Sequence, residues 1–206
     1  HHQPTSVVAY LTCLSIDYPV CLLKAPKTPI LDSYQYPILL LPDGVDIPNS
    51  YERYGDLSAI KYGIYRSSKH QRSTIHSKLG LLLTTSGSTG NPKLVRLSQD
   101  SIVANAKSIS EYLALNSQEV SIQSLPMYYS YGLSLINSHL LVGAKTIFTP
   151  HSFMRPEFWI DFDNYSATSF AGVPYMYEVL HRLRFEPAEH PTLTTMTQAG
   201  GGLKLE

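Results

Sequence analysis

The chain reads as α/β, a mixed β-sheet flanked by helices, on three observations. Residues 79–83 are wholly apolar, the pattern of a strand buried on both faces, and residues 38–41 form a second such run. Segments such as 99–113 repeat apolar residues at helical spacing instead. Helical and extended patterns alternate along the chain, which is how helices and strands layer around one sheet.

Taken in order, Val7, Val8, Leu11, Leu14 and Ser15 line one helical face, and residues 19–23 follow as a short strand. The run 38–41 is stopped by Pro42, Asp43 and Gly44. Residues 45–78 are polar and are expected to be irregular, with 66–78 an exposed basic connection. After 79–83 comes a polar loop, then a strand at 94–97. Ser98 is placed as an N-cap for a helix carrying Ile102, Ala106, Ile109 and Leu113. Val120 and Ile122 alternate as a strand running into Pro126. Residues 133–141 predict a helix ended by Gly143 in the left-handed position. Residues 145–148 are a further strand, Pro156 opens a brief helix, and 168–173 is a strand followed by a helix with Pro174 in its first turn. Within that helix Tyr175, Val179 and Arg182 share related faces. Residues 196–199 form the last strand and lead into Gly200, Gly201 and Gly202.

Composition bounds the function. The 206 residues are 43% hydrophobic and 16% charged, with no apolar run near the roughly 20 residues that cross a bilayer, so no membrane partner is expected. Cys13 and Cys21 make neither a metal-type spacing nor a disulfide framework, and a cytoplasmic location is the default expectation. The eight histidines show no ligand spacing, and no metal ligands are assigned. Net charge is zero but uneven: between Arg53 and Lys107, nine Lys and Arg stand against Asp56 and Asp100, giving +7. A basic zone of this kind suits an anionic small molecule. Nucleic acid is not expected, because basic and aromatic residues do not interleave along one element.

The centre of that zone is the loop Thr85, Ser86, Gly87, Ser88, Thr89, Gly90, closed by Asn91, Pro92 and Lys93. Glycines at 87 and 90 let several N–H groups converge, four hydroxyls add donors, and Lys93 adds a positive charge. The ligand such a loop suits is a polyphosphate. It is not a Walker loop, since no Gly-Lys-Ser/Thr closes it.

The run 85–93 closely resembles the phosphate loop of the adenylate-forming enzymes, the superfamily of acyl-CoA synthetases, peptide-synthetase adenylation domains and luciferases. Two further segments carry the resemblance. Pro126-Met-Tyr-Tyr-Ser-Tyr-Gly-Leu133 resembles the aromatic segment that lines the acid pocket, which implies pocket roles for Tyr129, Ser130 and Tyr131. Thr197-Gln-Ala-Gly-Gly-Gly-Leu203 resembles the start of the adenine-binding turn, which implies nucleotide contacts at Gly200, Gly201 and Gly202. The stretch from Phe170 to Tyr177 resembles the strand and helix start between them. Three positions depart from the pattern: Leu94 stands where glycine is usual, Gln99 where histidine is frequent, and Tyr129 where acyl-CoA synthetases often carry histidine. Amino-acid-activating relatives often have aspartate at that last point. Tyr129 cannot answer an ammonium group, which favours an acyl or aryl acid.

The resemblance implies ATP-dependent activation of a carboxylic acid as acyl-adenylate, with magnesium and with coenzyme A as one acceptor. It implies Thr85, Ser88 and Thr89 as hydroxyl donors and Lys93 as partner of the β/γ phosphates. Residues 1–206 then correspond to an incomplete N-terminal AMP-binding domain (phosphate loop 84–93, pocket segment 126–133, start of the adenine-binding turn 197–203), without the family's later Tyr-Gly-x-Thr-Glu segment or its small C-terminal domain. That piece alone is expected to be inactive, with self-association covering its truncated surface. Two alternatives stand beside this reading: a non-catalytic nucleotide-binding or interaction module derived from an adenylation domain, and an unrelated phosphate-binding enzyme such as a kinase.

Overall fold

The computed structural model describes residues 3–25, 31, 34, 36–69, 74–84 and 93–202. The chain divides into two compact units, Thr5–Leu97 and, with the first residues of the chain, Ser98–Glu206. The α/β expectation holds, with the strands shared among three sheets flanked by helices.

The first unit begins with helix α1 (Pro4–Ser15) and strand β1 (Val20–Leu22). Strand β5 (Leu79–Thr84) lies between β1 and β6 (Leu94–Ser98) and pairs parallel with β1, Val20 opposite Leu81. Central placement accounts for its apolar run: Leu81 and Leu83 are both buried. The second sheet is antiparallel, with β4 (Tyr62–Ser67) between β2 (Ile38–Pro42) and β3 (Tyr51–Leu57).

That second sheet corrects the expectation of an irregular 45–78. Strand β3 is an edge strand with exposed Glu52, Arg53 and Tyr54, so its sequence reads as polar. The apolar payload of the hairpin is carried by tyrosines. Tyr51 and Tyr65 are buried with Leu39 and Leu41, and the Tyr51 hydroxyl donates to the Tyr36 carbonyl at 2.8 Å. Aromatic rings of this kind favour strands while keeping a polar tip satisfied. The helical face of α1 also differs: Val7, Ala9 and Tyr10 are buried, while Val8 and Leu11 are exposed.

In the second unit, helix α2 (Gln99–Tyr112) starts where expected, the Ser98 side chain accepting from the Ser101 N–H at 3.1 Å. Four parallel strands follow, in spatial order β10, β9, β7, β8: β7 (Val120–Gln123), β8 (Lys145–Phe148), β9 (Ser169–Gly172) and β10 (Thr195–Gln198). Helices α3 (Ser130–Leu141), α4 (Pro156–Asn164) and α5 (Pro174–Arg182) connect them. Pro156 and Pro174 both occupy the first turn, where a missing N–H costs nothing. Helix α3 ends as predicted. Gly143 has φ +73°, its N–H donates to the Leu140 carbonyl at 3.1 Å, and the Ala144 N–H donates to the His139 carbonyl at 2.9 Å. This is the two-bond cap that a left-handed residue makes possible.

The core of this unit is Val120, Ile122 and Phe170 from the sheet against Phe158, Phe162, Met176 and Leu180 from α4 and α5. Trp159 extends it, its ring 4.3 Å from that of Phe185 and 4.9 Å from that of His190. On α5 the buried stripe is Met176 and Leu180, with Tyr175 59% exposed, so the face expected from Tyr175, Val179 and Arg182 is displaced by about one residue.

Candidate functional site

Strand order places a site before any side chain is considered. From β7 the chain steps to β8 on one side, whereas from β9 it steps to β10 on the other. With right-handed connections, the chain leaving β7 and the chain leaving the adjacent β9 turn away to opposite faces of the sheet. A crevice opens between such neighbours at the carboxyl ends of the strands, and ligands of open α/β sheets bind there. Residues 124–131 follow β7, Val173 and Pro174 follow β9, and residues 199–202 follow β10.

Polar side chains hold these ends in place. Gln123, 1% exposed, donates from Nε2 to the carbonyls of Leu125 at 2.8 Å and Gly132 at 2.9 Å, folding the chain back from β7 into α3. The Ser124 hydroxyl donates to the Ala171 carbonyl, joining the ends of β7 and β9. The Tyr129 N–H closes a turn onto Pro126 at 3.1 Å, and the Tyr129 carbonyl accepts from Leu133 at 2.9 Å as α3 begins.

The pocket segment and the glycine turn meet here. Gly200 has φ +88°, and a β-carbon built on it would stand 2.7 Å from the Tyr129 hydroxyl and 3.4 Å from Val173 Cγ1. Only glycine permits both the backbone angle and the approach. The Tyr131 hydroxyl lies 2.8 Å from Thr197 Oγ1, and the Tyr177 hydroxyl donates to the Thr197 carbonyl at 2.6 Å. Burial raises the pKa of Tyr131, opposed by its bond to Thr197. It raises that of Tyr177 as well, with the Tyr131 charge adding to it. Both phenols are therefore neutral at neutral pH. Gln198 Nε2 donates to the Gly201 carbonyl at 2.7 Å, bracing the turn from within.

Of the residues predicted from sequence, Tyr129, Tyr131 and Gly200 are brought together. Gly201 and Gly202 are exposed beyond them, and Ser130 is exposed in the first turn of α3. Lys93 belongs to the other unit, exposed just before β6. Thr85, Ser86, Gly87, Ser88, Thr89 and Gly90 lie outside the described residues. The sequence gives no prominence to Gln123 or Ser124, and it marks Tyr177 and Thr197 only as members of resembling segments, without a role. The available signal was position: each stands within three residues of the end of a strand or the start of the helix after it. Among the described residues no group of three or more His, Cys, Asp or Glu is placed to hold a metal ion. No described helix is long and apolar enough to cross a membrane.

The chain belongs to the AMP-binding enzyme family, which matches residues 46–205. It is similar to the oxalate–CoA ligase of Arabidopsis thaliana, 30% identical over 127 residues, a match covering 60% of this chain and 25% of the relative. It is also similar to the sulfoacetate–CoA ligase of Cupriavidus necator, 34% identical over 94 residues, covering 46% of this chain and 18% of the relative. Among solved structures it resembles ATP-bound MatB from Rhodopseudomonas palustris with a TM-score of 0.52 and 27% identity, over 65% of this chain and 26% of that one. The chain thus spans about a quarter or less of the length of these curated relatives.

Proposed function

We propose that these residues form the nucleotide- and acid-gripping part of an ATP-dependent acid-activating enzyme. In that reaction a carboxylate oxygen attacks the α-phosphorus of ATP. A P–O bond forms to the acid, the bond from the α-phosphorus to the bridging oxygen breaks, and pyrophosphate leaves. A thiol such as coenzyme A then takes the acyl group from AMP. The observation that carries this reading is the junction of Tyr129 with Gly200 at the switch point of the parallel sheet. It puts a phenol edge and bare backbone side by side, as a flat base and an acid require.

Gly200, Gly201 and Gly202 receive the adenine, and Tyr129, Ser130 and Tyr131 line the acid. Segments 126–133, 170–177 and 197–202 contain no charged side chain, which supports a neutral acyl or aryl tail on the acid. Thr85, Ser86, Gly87, Ser88, Thr89, Gly90 and Lys93 hold the terminal phosphates. Magnesium, when bound with ATP, would supply charge neutralisation at the phosphates. Cys13 and Cys21 are unpaired thiols, which supports a reducing cytoplasm as the setting. Positioning and charge stabilisation dominate such a displacement. The 206 residues alone are therefore expected to bind nucleotide better than they turn it over.

Calorimetry with ATP and with pyrophosphate on the chain, beside Lys93→Ala, tests the binding half. Weaker binding of both in the variant supports the assignment, and equal affinities remove Lys93 and its loop from it. Pyrophosphate exchange by a longer chain containing these residues, across a panel of acids, tests the chemistry. Absence of exchange with every acid, alongside tight nucleotide binding, would leave a binding module in place of an enzyme.

A further inference from the structure

Strand β10 pairs parallel with β9 and carries the glycine turn into the site. Thr197 is where additional restraint enters. Its side-chain hydroxyl is bonded to Tyr131, from the helix that follows β7, and its carbonyl to Tyr177, from the helix that follows β9. One residue therefore gathers ties from both neighbouring helices, three positions before Gly200. Both phenols are part-buried, where an exchange of partner for water is limited and each bond is worth more.

Tyr177 passes close over Gly172 on its way to Thr197. A β-carbon there would stand 3.0 Å from Tyr177 Cε2. Gly172 is the strand partner of Gln198, one residue beyond the tie at Thr197.

We propose that Thr197 is a positioning residue: clamped by Tyr131 and Tyr177, it sets the gap between Tyr129 and the Gly200 turn, and through that gap the fit of an adenine nucleotide. The inference deepens the proposed function and rests on it for the identity of the ligand. The geometry it asserts exists without ligand and is tested separately.

The experiment uses the whole chain as Thr197→Val, which keeps the shape and the carbonyl but loses the hydroxyl, Tyr177→Phe, which loses the other tie, and Thr197→Ser as the conservative rescue. In ligand-free protein, the amide resonances of Gly200 and Gly201 are expected to move in Thr197→Val and Tyr177→Phe and to return toward wild type in Thr197→Ser. In titrations with AMP, Kd is expected to rise about 3- to 10-fold in the first two variants, the loss of one hydrogen bond, and to recover in the serine variant. Unmoved glycine resonances in both variants overturn the inference, as does AMP binding that is equal in all four proteins. If wild type itself fails to bind AMP while the glycine resonances respond, the clamp stands and the proposed function is what has failed.

Discussion

The hydroxyl of Tyr129 stands 2.7 Å from the point a β-carbon on Gly200 would occupy, although the two residues are 71 positions apart in the sequence. Gly200→Ala therefore meets two obstacles: a left-handed backbone that costs an ordinary residue about 1–2 kcal/mol, and a phenol that must swing aside. Loss of about 2–5 kcal/mol is expected, the sum of that strain and of overpacking. Denaturant unfolding measures it. In a Tyr129→Ala background the same substitution should cost less, since only the backbone term remains. Equal costs in both backgrounds would show that the two residues do not meet.

The second prediction concerns Gln123, buried at the end of β7 with its amide nitrogen on two carbonyls. Gln123→Met keeps the length and apolar stem of the side chain but removes the donor from Leu125 and Gly132. The Leu125 carbonyl then loses its donor at about 1–3 kcal/mol, while the Gly132 carbonyl, inside α3, keeps its helical partner. The expected result is a lowered unfolding midpoint together with weakened nucleotide binding, because the bend that presents Tyr129 is what those bonds hold. Gln123→Glu is expected to be worse than Met at neutral pH, since a carboxylate cannot donate and would be buried as a charge.

These two positions show how far the sequence could be read. Apolar runs and caps were legible because their causes are local: Ser98 and the Ser101 N–H are three residues apart, and Gly143 closes its own helix. The hairpin of β3 and β4 was missed because tyrosines carry its buried face and a hydropathy reading counts them as nearly polar. Val120 and Ile122 alone mark β7 as an alternating strand, yet β7 is covered on both faces and buries Gln123 as well, which only the sheet order reveals. The motifs at 126–133 and 197–203 were visible separately. Their meeting depends on parallel pairing and on the reversal of strand order, which no local pattern encodes.

The third prediction is a pH dependence. His139, 1% exposed on α3, has Nδ1 2.8 Å from the Leu135 carbonyl, while Nε2 is buried without a hydrogen-bond partner. Nδ1 therefore carries the proton, and a second proton at Nε2 would be an unanswered buried charge. Burial pushes the pKa below the ordinary 6.5, against the smaller opposing pull of the Leu135 carbonyl and of Glu119. A group with a depressed folded pKa binds its proton more readily when unfolded. Its neutral form thus supports the fold above about pH 6.5, and that support is lost as pH falls below this value, at no more than about 1.4 kcal/mol per pH unit. His139→Leu is expected to flatten the fall in stability between about pH 6.5 and 5. An unchanged slope would mean that other groups set it.

The last prediction returns to Gly172, where three atoms converge on the missing side chain: Tyr177 Cε2 at 3.0 Å, Met176 Cβ at 3.3 Å and Phe170 Cε1 at 3.3 Å. Phe170 is fully buried and Met176 Cβ sits on the helix backbone, so neither can move cheaply. Tyr177 is half-buried and is the atom group that gives way. Gly172→Ala should therefore act in two stages, overpacking of about 1–3 kcal/mol and displacement of the Tyr177 hydroxyl from the Thr197 carbonyl. The signature is non-additivity. Tyr177→Ala removes both the ring and its bond, so adding Gly172→Ala to it should cost clearly less than adding Gly172→Ala to wild type, by about 1 kcal/mol or more. Unfolding midpoints of the four proteins in one denaturant series provide the cycle. Strict additivity would place the strain at Phe170 and Met176 instead, and would free the Tyr177–Thr197 tie from any dependence on the bare end of β9.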